Sequence, residues 1–368
     1  MGNGLRAARA SFRLELGQLV ASRALIALTV LEAITFLVLV SLFGLTGSKA
    51  PTALINDDHG PLATAFVADL AHAHQSFALK TMSRAQANQA LARGDLVAII
   101  TIPAGFSQAV TAGQTVAVPV EVDNVDADMT DDIERALPSA IEAFGIGQHF
   151  PGIRVATTER DLIGHDTGFI PYLVVSALAL DALVVAGVLG GVAITREWEA
   201  GTIDQLRLAP VGPGFLLAGK LAAAGAVAAV AVGVAAAIVL PSYGIHPANL
   251  IATAGALAAC VVIFTALGAA IGSFIRRTLP IAPLFFGLAM PLYIDSGALE
   301  PQRFDGRVLW ALSHVTPVYS AVGVLESAVH GLRVTPESPV QDLVVLALRA
   351  VASLLVASAE LGRRRSPV

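Results

Sequence analysis

The chain has 368 residues, 55% of them hydrophobic and 14% charged, with a formal net charge of −5. A soluble domain carries about 25% charged residues, so an ordinary soluble globular protein is excluded, and the net charge gives no reason to expect nucleic acid as a partner. With aromatics at 6% and an Ala/Val/Leu/Gly-rich apolar fraction, the composition suits membrane helices packed through small residues rather than a β-barrel with aromatic girdles. The one cysteine, Cys260, permits neither a disulfide framework nor a cysteine-based metal site.

In chain order, residues 1–23 come first. Leu5, Phe12, Leu16 and Leu19 share a helical face with Arg6, Arg9 and Arg13 beside it, the pattern of a helix lying in the membrane interface with snorkelling arginines. Residues 24–44 form an apolar run longer than the core of a secretory signal, with Pro51 following the only small-residue cleavage pattern, so they read as an anchor. Further runs near the roughly 20 residues that a span needs lie at 169–193, 215–240, 249–273, 279–298 and 342–360. Basic residues cluster at Arg6, Arg9, Arg13 and Arg23, at Arg196, Arg207 and Lys220, at Arg276 and Arg277, and at Arg363, Arg364 and Arg365. By the positive-inside rule these regions are cytoplasmic. The expectation is therefore an α-helical membrane protein of six spans, multi-pass in a cell (inner or plasma) membrane and in contact with its lipids. Both termini are cytoplasmic, including the basic tail 361–368.

Residues 45–168 fall outside and read as a soluble α/β domain. Strand-like runs occur at Ala53–Asn56, Leu96–Ile102 and Val116–Val122, with helical stretches near 61–80, 83–93, 104–112 and 129–147. Asp123, Asp126, Asp128, Asp131, Asp132 and Glu134 lack the spacing and glycine of a calcium loop. They suit a solvated loop entering a helix N-terminus, where acids are favoured.

The segment 196–212, REWEAGTIDQLRLAPVG, is a patch of charge between two apolar runs. Gly201-Thr202 with Asp204 starts a helix and Pro210 ends it, which describes a short cytoplasmic helix. Just beyond, Gly214 to Lys220 matches the glycines and lysine of a phosphate loop. Leu221 stands where the hydroxyl for magnesium belongs, and no strand precedes. The chain carries no ATPase domain of its own.

The run from Arg196 through Pro210-Val211 to Gly219-Lys220 resembles the signature of ABC-2-type transporter permeases. The stretches Ile55–Pro61, Leu91–Ser107 and the strand ending Val122-Asp-Asn124 are similar to the extracytoplasmic domain of one branch of these permeases, and Leu309–Tyr319 to an external re-entrant segment at about 305–330. The resemblance implies a non-catalytic permease subunit of an exporter, paired with a second permease copy or homologue. It also implies a separate ABC ATP-binding subunit that carries ATP and Mg, with no cofactor on this chain. It makes 1–23 an elbow helix and 196–212 the coupling helix, with Arg196, Glu199, Gly201, Thr202, Asp204, Leu206 and Pro210 forming or shaping the ATPase contact. The apolar bundle suits a hydrophobic or amphipathic molecule such as a drug or lipid-like compound.

Charges inside spans are costly and mark function or a structural staple; here they are Glu32, Asp181, Asp295 and Arg349. A pairing of Glu32 or Asp181 with Arg349 would neutralise two of them. They also define the alternative, an ion-coupled secondary transporter, against which no inverted repeat stands out. The small-residue pairs Gly187/Gly191 and Gly268/Gly272 read as sites of close helix packing.

Overall fold

The structure, a computed structural model, describes residues 2–22, 50–73, 77–124, 127–150, 152, 154–161, 168–208, 211–298 and 307–362. The chain divides into two compact units, one of residues 42–172 with 300–307 and one comprising the remainder.

The first unit is an α/β domain. Its elements are β1 (Ala50–Asn56), α2 (Pro61–His72), β2 (Phe77–Thr81), α3 (Arg84–Arg93), β3 (Ala98–Ile102), α4 (Phe106–Thr111), β4 (Val116–Val122), α5 (Ala127–Gly147) and β5 (Val155–Asp161). The helix α1 (Gly2–Ala21) precedes them in the other unit. The sheet runs in the order β2-β1-β3-β4-β5. β1 is parallel to both β2 and β3, β3 is antiparallel to β4, and β4 is parallel to β5. Phe66, Phe106 and Phe144 cluster on one sheet face with ring centroids 5.3–6.1 Å apart, while α3 sets Ala87, Ala90 and Leu91 against Ile55 and Ile99 on the other. Ser83 closes a capping box with Gln86, and Gly94 ends α3 at φ 75°, a conformation that favours glycine. After β1, the Asp58 carboxylate accepts the backbone N–H of Ser107 and that of Gly60 at 2.7 Å. Those two bonds, Ser107 first, hold its pKa below the usual carboxylate value.

Two elements differ from the sequence reading. Phe77–Thr81 is a strand, not the tail of a helix to 80, because it pairs along β1 from Ala50↔Phe77 to Leu54↔Thr81; non-local pairing overrides the helix preference of Ala, Leu and Lys. The strand β5, VATTERD, has no apolar alternation, because as an edge strand it is held through β4 and most of its side chains face water.

The second unit contains α1 and the helices α6 (Phe169–Glu199, assigned to it from Leu173), α7 (Ile203–Leu208), α8 (Pro213–Ser242), α9 (Leu250–Ile275), α10 (Ile281–Ile294), α11 (Arg307–Ser313, assigned to it from Val308), α12 (Pro317–Val329) and α13 (Pro339–Gly362). Among the described residues four helices, α6, α8, α9 and α13, are long and apolar enough to cross a membrane. The expected first span, 24–44 with Glu32, lies outside the described residues. The expected fifth span is the 14-residue α10, about 21 Å at 1.5 Å per residue against a hydrocarbon thickness of about 30 Å.

The most buried of the four is α6, enclosed along its whole apolar window. Glycine lets α9 approach it closely: a Cβ on Gly268 would fall on the Gly187 carbonyl, and one on Gly272 would lie 2.7 Å from the Gly191 carbonyl oxygen. Gly187 and Gly191 also receive Phe285 and Ile281 of α10. The two small-residue pairs thus face each other across one helix contact, the arrangement by which helices associate in lipid.

The contact face of α1 is its small-residue one. It lies along α8 through Gly4, Ala8, Ser11 and Glu15, and Ser11 Oγ donates to the Leu216 carbonyl at 2.9 Å. Leu19 is buried, whereas Leu5 is 68% exposed. Close approach to a glycine, here Gly219 against Ala8 and Ser11, selects the small-residue face over the one with the larger apolar side chains.

Candidate functional site

The site builds up from the end of α6. The Thr202 N–H donates to the Glu197 carbonyl at 3.1 Å and the Gly201 N–H to the Trp198 carbonyl at 3.3 Å, the paired bonds of a Schellman ending. Gly201 sits at φ 67°, where an L side chain is strained. After Thr202, α7 begins. It packs on α8 and α13, with Ile203 buried, Asp204 exposed and Leu208 78% exposed.

Glu197 ties this corner to the rest of the unit. One carboxylate oxygen accepts the Thr202 hydroxyl, and the other lies 2.8 Å from Lys220 Nζ of α8. Lys220 also pairs with Glu15 of α1. Lys220 is 5% exposed and Glu15 1%, so the cluster holds two carboxylates around one buried ammonium. Such a group is favourable only when the charges stay paired. The lysine that resembled part of a phosphate loop is the centre of this cluster, and the glycines around it lie within the first turns of α8.

On the other side of the cap, Glu199 Oε1 accepts the Thr278 N–H at 2.9 Å and Thr195 shares a 3.0 Å bond with the Thr278 hydroxyl. Arg276, closing α9, stacks 4.2 Å over the Trp198 ring and reaches Glu360 of α13 at 3.5 Å. The structure therefore fastens α1, α6, α8, the α9–α10 turn and α13 around the base of α7.

Of the sequence candidates, Arg196, Glu199, Gly201 and Thr202 belong to this corner, and Arg196 is half-buried in the last turn of α6. Glu199 turns toward the α9–α10 connection, while Asp204 is on the exposed side. Only the backbone of Leu206 is described, and Pro210 lies outside the described residues.

The charges in the apolar helices are spread apart. Asp181 is buried, and its Oδ2 has no hydrogen-bond partner among the described residues. Asp295 ends α10, its N–H donating to the Pro291 carbonyl at 3.0 Å. Arg349 does not meet Asp181; both its terminal nitrogens donate to backbone carbonyls, those of Thr316 and His314. Two buried polar groups escaped the sequence reading. Ser176 Oγ lies 3.0 Å from Tyr293 Oη and donates to the Ala298 carbonyl at 2.9 Å, and Glu326 meets His330 at 2.8 Å. The i,i+4 spacing of Glu326 and His330 in an apolar stretch was the available signal.

A polar corner braced at the end of a fully buried helix, in a bundle of long apolar helices, defines a membrane protein whose helix ends are mechanically joined. The chain belongs to the ABC-2 family of transporter proteins, whose profile matches residues 23–359. It is thus a membrane transport protein of a family whose members are generally non-catalytic and normally work with an ATP-binding subunit. No curated protein matches the chain.

Proposed function

We propose that this chain is the transmembrane permease subunit of an ATP-driven exporter, with six spans, both termini cytoplasmic and the α/β unit extracytoplasmic. ATP and Mg belong to a separate ATPase chain, and two permease protomers form the path. The carrying observation is the construction around α7. A six-residue helix presents an exposed acid, Asp204, and an exposed leucine, Leu208, while five other elements are fastened to one another around its base. A partner that pushes on α7 moves α6 and α8 with it, because Gly201, Thr202, Glu197 and Lys220 leave little slack between them.

In this reading ATP binding closes the two ATPases, each α7 follows its groove, and the attached helices open or squeeze a path between protomers. The free energy comes from the difference in ATP affinity between the two states. The apolar bundle suits a hydrophobic or amphipathic cargo.

The test is a detergent pull-down of the tagged full chain from its native cell, analysed by mass spectrometry beside an Asp204→Arg, Leu208→Glu variant. A Walker-motif ATPase retained by the wild type and lost from the variant supports the proposal. If no ATPase is retained while the permease stays intact, the coupling role of α7 is wrong. Proton-driven transport in that preparation would then favour the ion-coupled alternative built on the buried charges.

A further inference from the structure

His314, immediately after α11, is in contact with two aromatic rings, its centroid 4.3 Å from that of Trp310 and 4.4 Å from that of Tyr319. Both ring nitrogens face oxygens: Nδ1 is 2.7 Å from the Trp310 carbonyl and Nε2 is 3.3 Å from Glu337 Oε1. The carbonyl can only accept. The Glu337 carboxylate is an acceptor too, and its other oxygen already takes the Tyr319 hydroxyl at 3.1 Å. Ser313 Oγ, 3.3 Å from Nδ1, spends its own proton on the Trp310 carbonyl at 2.8 Å. A neutral imidazole has a single N–H and cannot satisfy both sides; an imidazolium donates from both nitrogens.

The surrounding charge agrees. Among the described residues the charged groups around His314 are Glu337 from the 331–338 loop, with Asp342 and Arg349 from α13, while α11 and α12 supply Trp310 and Tyr319. Asp342 is buried and accepts the Thr335 hydroxyl at 2.9 Å, and Arg349 grips the His314 and Thr316 carbonyls from below. With His314 protonated, two cations face two anions. Its deprotonation leaves one negative charge uncompensated beside side chains only 29% and 32% exposed.

We propose that this corner is a proton-operated latch: protonated His314 ties the α11–α12 corner to the 331–338 loop through Glu337, and loss of that proton releases the loop. An imidazole is the side chain whose charge ordinarily changes between pH 5 and 8. The side of the membrane sensed rests on the orientation proposed above; the latch itself does not.

The test uses the full chain in detergent. The protein has two tryptophans, so Trp198→Phe leaves Trp310, in ring contact with His314, as the sole reporter. We expect a single-proton change in Trp310 fluorescence between pH 5 and 8. It disappears in Trp198→Phe/His314→Gln and moves to lower pH in Trp198→Phe/Glu337→Gln, where the anion that favours the charged ring is gone. Hydrogen exchange in 331–338, corrected for its intrinsic pH dependence, should rise above the midpoint in the wild type and be high at every pH in the His314 variant. No transition in this range, a transition that survives His314→Gln, or a midpoint indifferent to Glu337→Gln overturns the proposal. None of these readings needs an ATPase, so they fail or succeed independently of the exporter assignment.

Discussion

Replacing Lys220 by methionine tests whether the Glu15–Lys220–Glu197 cluster holds α1 to the bundle. Methionine keeps most of the stem and removes the charge. Glu197, with a side chain 17% exposed and the Thr202 hydroxyl still bonded to it, can recover some hydration. Glu15 cannot: it is 1% exposed and its Oε1 already lacks a hydrogen-bond partner among the described residues. Stranding a buried charge in this way costs about 3–5 kcal/mol, whereas removing both members of a buried pair is close to neutral. Lys220→Met should therefore lose about 3–5 kcal/mol, and Glu15→Gln/Lys220→Met should lie within about 1 kcal/mol of the wild type. Chemical denaturation of the purified full chain in mixed micelles gives both differences. A single variant within about 1 kcal/mol of wild type, or a double variant no better than the single, would refute the claim that burial of Glu15 sets the cost.

Two further outcomes follow from the geometry. Gly268→Leu places a side chain on the Gly187 carbonyl, and because backbone cannot yield as a side chain does, the loss should exceed the roughly 1–3 kcal/mol of ordinary overpacking. It is read as aggregation in size-exclusion chromatography, while Gly255→Leu, whose Cβ would meet nothing within 4 Å, stays monodisperse. Asp58 has a folded pKa lowered by its bonds from Ser107 and Gly60. The stability it supplies is present above the unfolded carboxylate value of about 4 and disappears as the pH falls through its lowered folded pKa. Asp58→Asn should thus flatten the acid limb of the full chain's stability between about pH 4 and 2, and an unchanged limb would exclude the effect.

The long apolar runs were legible because the bilayer imposes a length and a composition, and α6, α8, α9 and α13 follow from them within a few residues. The break at Gly201-Thr202 was legible as the start of a short helix, whereas the role of Gly201 in ending α6 at positive φ came from the structure. The partners of the charges were not legible. Lys220 gives no sequence sign that it meets Glu15, 205 positions away, and Glu199 bonds to Thr278 only because α6 and the α9–α10 turn are brought together by glycines far from either. Arg349 likewise found backbone carbonyls where pairing with another charge was expected, because a short helix and a corner sit in front of it. The α10 helix is shorter than the apolar run 279–298 suggested, because apolar content does not mark where a helix begins and ends.

The length of α6 carries one more consequence. Its 31 residues make a rod of about 46 Å, about 15 Å more than the hydrocarbon it would cross. The surplus is an overhang, and the Schellman ending fixes α7 to its tip without a flexible joint. A sideways push of about 3 Å on that tip tilts the whole rod by about 4°, from its length alone. Because glycines seat α9 directly against the rod, the tilt cannot be absorbed by compressible side chains there and must be passed to its neighbour. In the proposed exporter these are the parts of a crank: a handle at α7, a shaft in α6, and a follower in α9.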